Sequence, residues 1–181
     1  MKNDIFDKIL DTEGGYVNNP ADRGGPTNWG ITESTARHFG FADIKKITRQ
    51  QAYSILENAY WLKPHFDEVA KLSPVLAYEL CDSAVNLGPS VPICWLQRWL
   101  NVFNHQGKDF RNLDIDCRIG PRTIDALKAY LSIRGDEGEK ILRLALNCSQ
   151  GNHYLEICEL RSQNETFIYG WLKNRVLFPN T

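Results

Sequence analysis

Residues 11–32 read DTEGGYVNNPADRGGPTNWGIT. The stretch is rich in glycine, proline and asparagine, residues that favour turns. It also carries two acids, Glu13 and Asp22, with Thr27 following them. Either the acids decorate a solvated turn, or the loop holds them in place for chemistry. Upstream, residues 3–12 set Ile5, Phe6, Ile9 and Leu10 on one face of a helix, which Gly14 and Gly15 terminate. Within residues 16–31 only Tyr16, Val17, Trp29 and Ile31 are strand-like, so a loop or short hairpin is expected. Thr32 is placed to cap a helix ending near Gly40.

Helical signals continue along the chain. TRQQ at residues 48–51 has the capping-box pattern and opens a helix to about Leu62, limited by Pro64. Ser73 and Pro74 start another, running to Asn86 and closed by Gly88. LGPSVP at 87–92 divides residues 1–89 from residues 90–181. A helix around residues 92–103 follows, then a polar loop. Pro121 and Thr123 begin a helix to about Ile133, and GDEGE at 135–139 begins another with Ile141, Leu142, Leu144 and Leu146 as its apolar content. Residues 152–175 are mostly helical and aromatic-rich. The pattern is mainly α with one small β element.

The 181 residues suffice for one compact domain or two small subdomains. Hydrophobic residues make up 43% and charged residues 24%, an ordinary globular balance. A net charge of -1 with scattered basic residues gives no footprint for nucleic acid. No apolar run approaches the ~20 residues of a membrane span, so no stable membrane insertion is expected. The N-terminal residues lack the apolar core of a signal peptide. Synthesis in the cytoplasm is expected, with any target outside reached by another exit route. The five cysteines form no CxxC pair, and free, buried or partly buried thiols are expected, with pairing after export left open. The four histidines show no metal-ligand spacing. Neither a metal nor a cofactor is expected.

Glu13 sits at a helix C-terminus, whose partial negative charge disfavours ionisation. A carboxylic acid kept protonated near neutral pH suits a general acid; a frayed, exposed helix-end glutamate is the plainer alternative. Asp22 adds a second carboxyl across a possible hairpin. Inverting glycosidases use such a pair, one acid protonating the leaving oxygen and one base activating water. Thr27, returning along the hairpin, is placed to help hold that water. Asp82 and Asn86 stand i, i+4 on one helix and face one side. Asn86 offers a side-chain amide for hydrogen bonding, while Asp82 either assists or ties its helix to the opening loop. Tyr16, Trp29, Tyr60 and Trp61 are candidate sugar contacts, although ordinary core packing is favoured for each aromatic taken alone. Trp95, Trp99 and Trp171 read as C-terminal core.

Glu13, Asp22 and Thr27 spell Glu-x8-Asp-x4-Thr, which resembles the Glu-x8-Asp-x5-Thr triad of phage-type lysozymes with one residue fewer. The fuller string EGGYVNNPADRGGPTNWGIT resembles the signature of glycoside hydrolase family 108, the N-acetylmuramidases of phage endolysins and holin-linked secretion loci. AYW at 59–61 and LCDSAVNLGP at 80–89 are similar to later motifs of that muramidase domain. LQRWLN at 96–101, DCRIGPRTIDAL at 116–127 and FIYGWLKNR at 167–175 resemble its C-terminal peptidoglycan-binding domain.

The resemblance implies a mainly α fold. A lysozyme-like N-terminal lobe with a small β-hairpin would occupy residues 1–89, and a helical peptidoglycan-binding subdomain residues 90–181. It implies a monomeric muramidase that cleaves the β-1,4 bond between N-acetylmuramic acid and N-acetylglucosamine. Glu13 would be the acid, with Asp22 and Thr27 handling water. Its partners would be peptidoglycan glycan strands and a holin or other export route, and it would act in the periplasm or cell wall, in toxin secretion or phage-type lysis. Two alternatives stay open. One is a lytic transglycosylase giving 1,6-anhydro products, and the other a non-catalytic wall-binding secretion factor.

Overall fold

A computed structural model of the chain describes residues 2–12, 15–17 and 26–177. It forms two compact units, Met1–Lys63 and Pro64–Thr181. The first opens with helix α1, Lys2–Thr12, which buries Ile5, Phe6 and Leu10. Strands β1 (Tyr16–Val17), β2 (Thr27–Asn28) and β3 (Ile31–Thr32) form an antiparallel sheet in the order β1-β2-β3. Trp29, strand-like by composition, sits instead in the two-residue turn between β2 and β3. Trp29 and Gly30 both have positive φ, 56° and 73°. Such pairs match the right-handed twist of a tight hairpin.

Helix α2, Glu33–His38, starts where the Thr32 hydroxyl accepts the Thr35 amide at 3.2 Å. Helix α3, Arg49–Glu57, has the full capping box: the Gln51 carbonyl accepts the Thr48 amide at 2.9 Å, and the Thr48 hydroxyl accepts the Gln51 amide at 3.3 Å. A wider π turn, Asn58–Leu62, continues it. Phe6 of α1 meets Tyr53 of α3 edge to face, with centroids 5.6 Å apart. Arg49 donates to Asp7 at 2.8 Å and to Asp11 at 2.9 Å, holding the two helices side by side.

In the second unit a short helix α4, Phe66–Ala70, precedes α5, Pro74–Leu87. The Ser73 hydroxyl accepts the Leu76 amide at 3.0 Å, and Pro74 occupies the first turn, where its missing N–H goes unneeded. Gly88, at φ 83°, ends the helix in a conformation that favours glycine. Helix α6, Ser90–Phe103, and helix α7, Pro121–Leu160, follow. The break expected at GDEGE is present: Gly135 has φ 58° and ψ −152°, so α7 is two helical rods joined at a kink. Leu142 and Leu146 of the second rod are buried, but Ile141 and Leu144 lie on its exposed side. Helix α8, Glu165–Trp171, closes the unit, its Trp171 ring 5.2 Å from Tyr154. Helix α5 packs against α4, α6 and α7. The packing border at 63/64 therefore falls earlier in the chain than the sequence border near residue 89.

The LQRWLN motif explains the long loop between α6 and α7. Leu96 and Leu100 fill the core. Gln97, only 1% exposed, donates to Asp116 at 2.7 Å and to the Arg118 carbonyl at 2.9 Å, and accepts the Cys117 amide at 2.9 Å. One turn on, Asn101 donates to the Leu113 carbonyl at 2.9 Å and accepts its amide at 2.7 Å. A buried amide that exchanges bonds with loop backbone replaces the missing secondary structure. This clip also overturns the expectation of five free thiols. Cys94 on α6 and Cys117 in the clipped loop form a disulfide, leaving Cys81 and Cys158 buried and Cys148 exposed.

Candidate active site

Glu13 and Asp22 lie outside the described residues; the frame around them is described. Helix α1 ends at Thr12, immediately before Glu13. Gly15, at φ 88°, turns the chain, and its carbonyl accepts the Trp29 amide at 3.3 Å. Strands β1 and β2 then pair Tyr16 with Asn28 and Val17 with Thr27. The two flanks of the segment that carries Asp22 are thus adjacent strands, and half-buried Thr27 stands in register with both Val17 and Thr32.

Two side chains anchor this sheet. Buried Asn28 donates to the Ile44 carbonyl at 2.8 Å and the Ile47 carbonyl at 3.4 Å. The Trp29 indole N–H donates to the Ile47 carbonyl at 3.0 Å. A left-handed tryptophan is sterically costly, and this bond helps hold it. Trp29 therefore acts as a brace while its half-buried ring keeps some exposed surface.

The other aromatic candidates differ in what they offer. Tyr16 is 40% exposed, with the Lys45 ammonium 4.8 Å above its ring centroid. Tyr60 is half-buried. Trp61 is 7% exposed, so its ring is spent on the core and presents little face for a sugar to stack on.

Asp82 and Asn86 belong to α5 in the second unit. The Asp82 carboxylate accepts two bonds from Arg175, at 3.2 and 3.4 Å, tying α5 to the C-terminal segment. Asn86 is exposed, and its amide donates to the Asp82 backbone carbonyl at 2.7 Å. Its side-chain oxygen accepts no hydrogen bond among the described residues, which leaves an acceptor for a ligand N–H. One turn earlier, Glu79 is buried and accepts Arg143 at 2.9 Å. Burial pushes its carboxyl above the ordinary range, against the pull of Arg143. Nothing in the sequence marks Glu79 apart from its place inside an apolar helix.

The chain matches two family models. Glycosyl hydrolase 108 covers residues 6–88, and a family described as "Predicted Peptidoglycan domain" covers residues 91–176. Among solved structures, Brucella abortus SagA is similar at 26% identity and a TM-score of 0.63, over 97% of this chain and 91% of that one. No curated protein matches the chain.

Proposed function

The chain belongs to the glycosyl hydrolase 108 family, and on that premise we propose that it is an N-acetylmuramidase. It is a glycoside hydrolase acting on peptidoglycan, and the bond we assign is the β-1,4 linkage from N-acetylmuramic acid to N-acetylglucosamine. The observation that carries this reading is the β1–β2 register. It pairs the strand that follows the end of α1 with the strand that carries Thr27, so the two flanks of the Asp22 segment are adjacent.

In this mechanism Glu13 holds its proton because the C-terminal dipole of α1 disfavours a second negative charge there. It gives that proton to the glycosidic oxygen as the carbon–oxygen bond breaks. Asp22 takes a proton from a water that attacks the anomeric carbon from the opposite face, a geometry that needs carboxyls about 6.5–9.5 Å apart. The Thr27 hydroxyl holds the water. Tyr16, exposed in the first unit, is the assigned sugar contact, and Asn86, exposed in the second, is assigned separately to an N-acetyl group. Trp29 supports the site mainly as a brace, Tyr60 lends partial ring surface, and Asp82 positions α5 through Arg175. The substrate lies in the cell wall, beyond the cytoplasm, and the Cys94–Cys117 disulfide suits an oxidising compartment. Toxin export or phage-type lysis is the assigned setting, with release of a co-expressed toxin against release of cytoplasmic enzyme as the discriminating assay.

Digestion of purified peptidoglycan followed by mass spectrometry tests the reaction. The expected products carry hydrated reducing ends, and Glu13→Gln abolishes them while the protein keeps its circular dichroism. Anhydro ends would make the enzyme a transglycosylase, and activity retained in Glu13→Gln would remove Glu13 from the mechanism.

A further inference from the structure

The second unit contains an open groove of about 350 Å³ between α6 and the second rod of α7. That volume lies within the range of small-ligand sites. Trp95, Arg98 and Trp99 line one wall, and Asn152, His153 and Glu156 the other. Arg98 and Trp99 lie three and four residues after Trp95, and Asn152 and His153 lie four and three before Glu156, which places each set on a single helix face. Trp95 and Trp99, read from sequence as core, are therefore wall residues as well.

The groove has fixed and unfilled parts. The Trp99 indole donates to Ser149 at 2.8 Å, and its ring stacks on Phe103, which stacks on Tyr130, with both centroid spacings 5.5 Å. That wall is braced. Trp95 is 9% exposed, its ring 5.9 Å from His153, and its indole N–H has no hydrogen-bond acceptor among the described residues. Arg98 is exposed and pairs with no carboxylate among the described residues. Glu156, held by Asn152 at 2.7 Å, sets a negative charge on the opposite wall.

An unpaired guanidinium facing a positioned carboxylate, with a spare indole donor, suits a ligand that carries both charges. The glycan backbone of peptidoglycan is uncharged where its lactyl groups are amidated by peptide. The peptide stems carry free carboxylates and, at a diamino acid, an ammonium. We infer that this groove binds the peptide stem of peptidoglycan. A stem carboxylate takes Arg98 and the Trp95 N–H, and a stem ammonium takes Glu156. The inference rests on the reading that the chain acts on peptidoglycan, and it gives the C-terminal unit a part distinct from the glycan chemistry of Glu13.

Cys148 lines the same groove and is the exposed free cysteine among the described residues. Its labelling by a maleimide on the full-length native chain reports occupancy. A synthetic tripeptide stem ending in a diamino acid is expected to slow labelling several-fold, while a chitin tetrasaccharide leaves the rate unchanged. Arg98→Ala should weaken the tripeptide by about tenfold, the loss of one charge-assisted pair, with unchanged thermal melting. Arg98→Lys should recover part of it. Protection by the tetrasaccharide instead, or tripeptide affinity unaltered in Arg98→Ala, overturns the inference. Failed protection beside intact peptidoglycan hydrolysis sinks the groove assignment alone. Tripeptide binding in a chain that hydrolyses nothing sustains the groove and sinks the hydrolase reading.

Discussion

Removing the Cys94–Cys117 bridge should destabilise the second unit without dissolving the loop it closes. The two cysteines lie 23 residues apart. Cross-linking a loop of that length restricts the unfolded chain by about 3 kcal/mol in the chain-entropy treatment. On the native side the loop keeps other anchors. Gln97 holds Asp116, Cys117 and Arg118, and Asn101 holds both backbone groups of Leu113. The loss therefore falls on the unfolded state. With a urea slope of roughly 1–3 kcal/mol per molar, the midpoint should drop by roughly 1–3 M in a Cys94→Ser, Cys117→Ser protein. The assay is urea unfolding followed by tryptophan fluorescence, since Trp95 and Trp99 sit on the helix that carries Cys94. Exposed Cys148 is alkylated first to block disulfide exchange. Hydrogen exchange of the Leu113 and Cys117 amides gives the second readout, and both should stay protected in the native state. A wild-type midpoint would refute the entropic argument. Lost protection at those amides would show that the side-chain clip depends on the sulfur bridge.

Two further outcomes follow from local geometry. Gly135 adopts φ 58° and ψ −152°, and a Cβ on Gly138 would lie 2.1 Å from the Arg134 Cβ. Alanine at either site should cost about 1–3 kcal/mol, read as a lowered thermal midpoint, and a neutral Gly135→Ala would mean that the kink is not required. Burial holds the Glu79 carboxyl above its ordinary value of 4.5, so the folded state binds that proton more tightly than the unfolded chain. Its contribution to stability is fully present below about 4.5 and is lost as pH rises through the folded-state value. In Glu79→Gln that downward slope should vanish from a urea-midpoint profile, and a profile that keeps it would assign the slope to another group.

The elements with local causes were legible in the sequence. Thr48 with Gln51, and Ser73 with Pro74, fix helix starts through bonds spanning three residues, and both caps are present. Gly135 broke the helical pattern where the backbone kinks. Non-local features were hidden. Cys94 meets Cys117 because Gln97 and Asn101 draw a distant loop onto α6, and no spacing rule encodes that. Trp29 looked like a strand residue by propensity, yet Gly30 beside it makes the pair a turn, and a bond to Ile47 eighteen residues on holds it there. Trp95 and Trp99 show why periodicity misplaces a groove: a helix face that lines a cleft has the same spacing as one that fills a core. For Glu13 and Asp22 the spacing and the family string carry the assignment, and the described strands supply their frame.

The two borders in the chain predict different behaviour for its fragments. Family matches divide it between residues 88 and 91, at the α5–α6 junction. Packing divides it at residues 63 and 64, because α5 lies against α6 and α7 as well as α4. A fragment of residues 1–89 keeps every proposed catalytic residue but strips α5 of two packing partners. Leu76, Leu80 and Cys81 are fully buried in the intact chain, and a buried leucine contributes about 1.5–3 kcal/mol relative to exposure. Losing even part of that burial rivals the whole stability of a small domain, about 5–15 kcal/mol. Residues 1–89 alone should therefore be poorly folded and inactive, while residues 64–181 should fold and unfold cooperatively in urea. A folded, active, monomeric 1–89 fragment would show that α5 does not need α6 and α7, and that the family border is also the folding border.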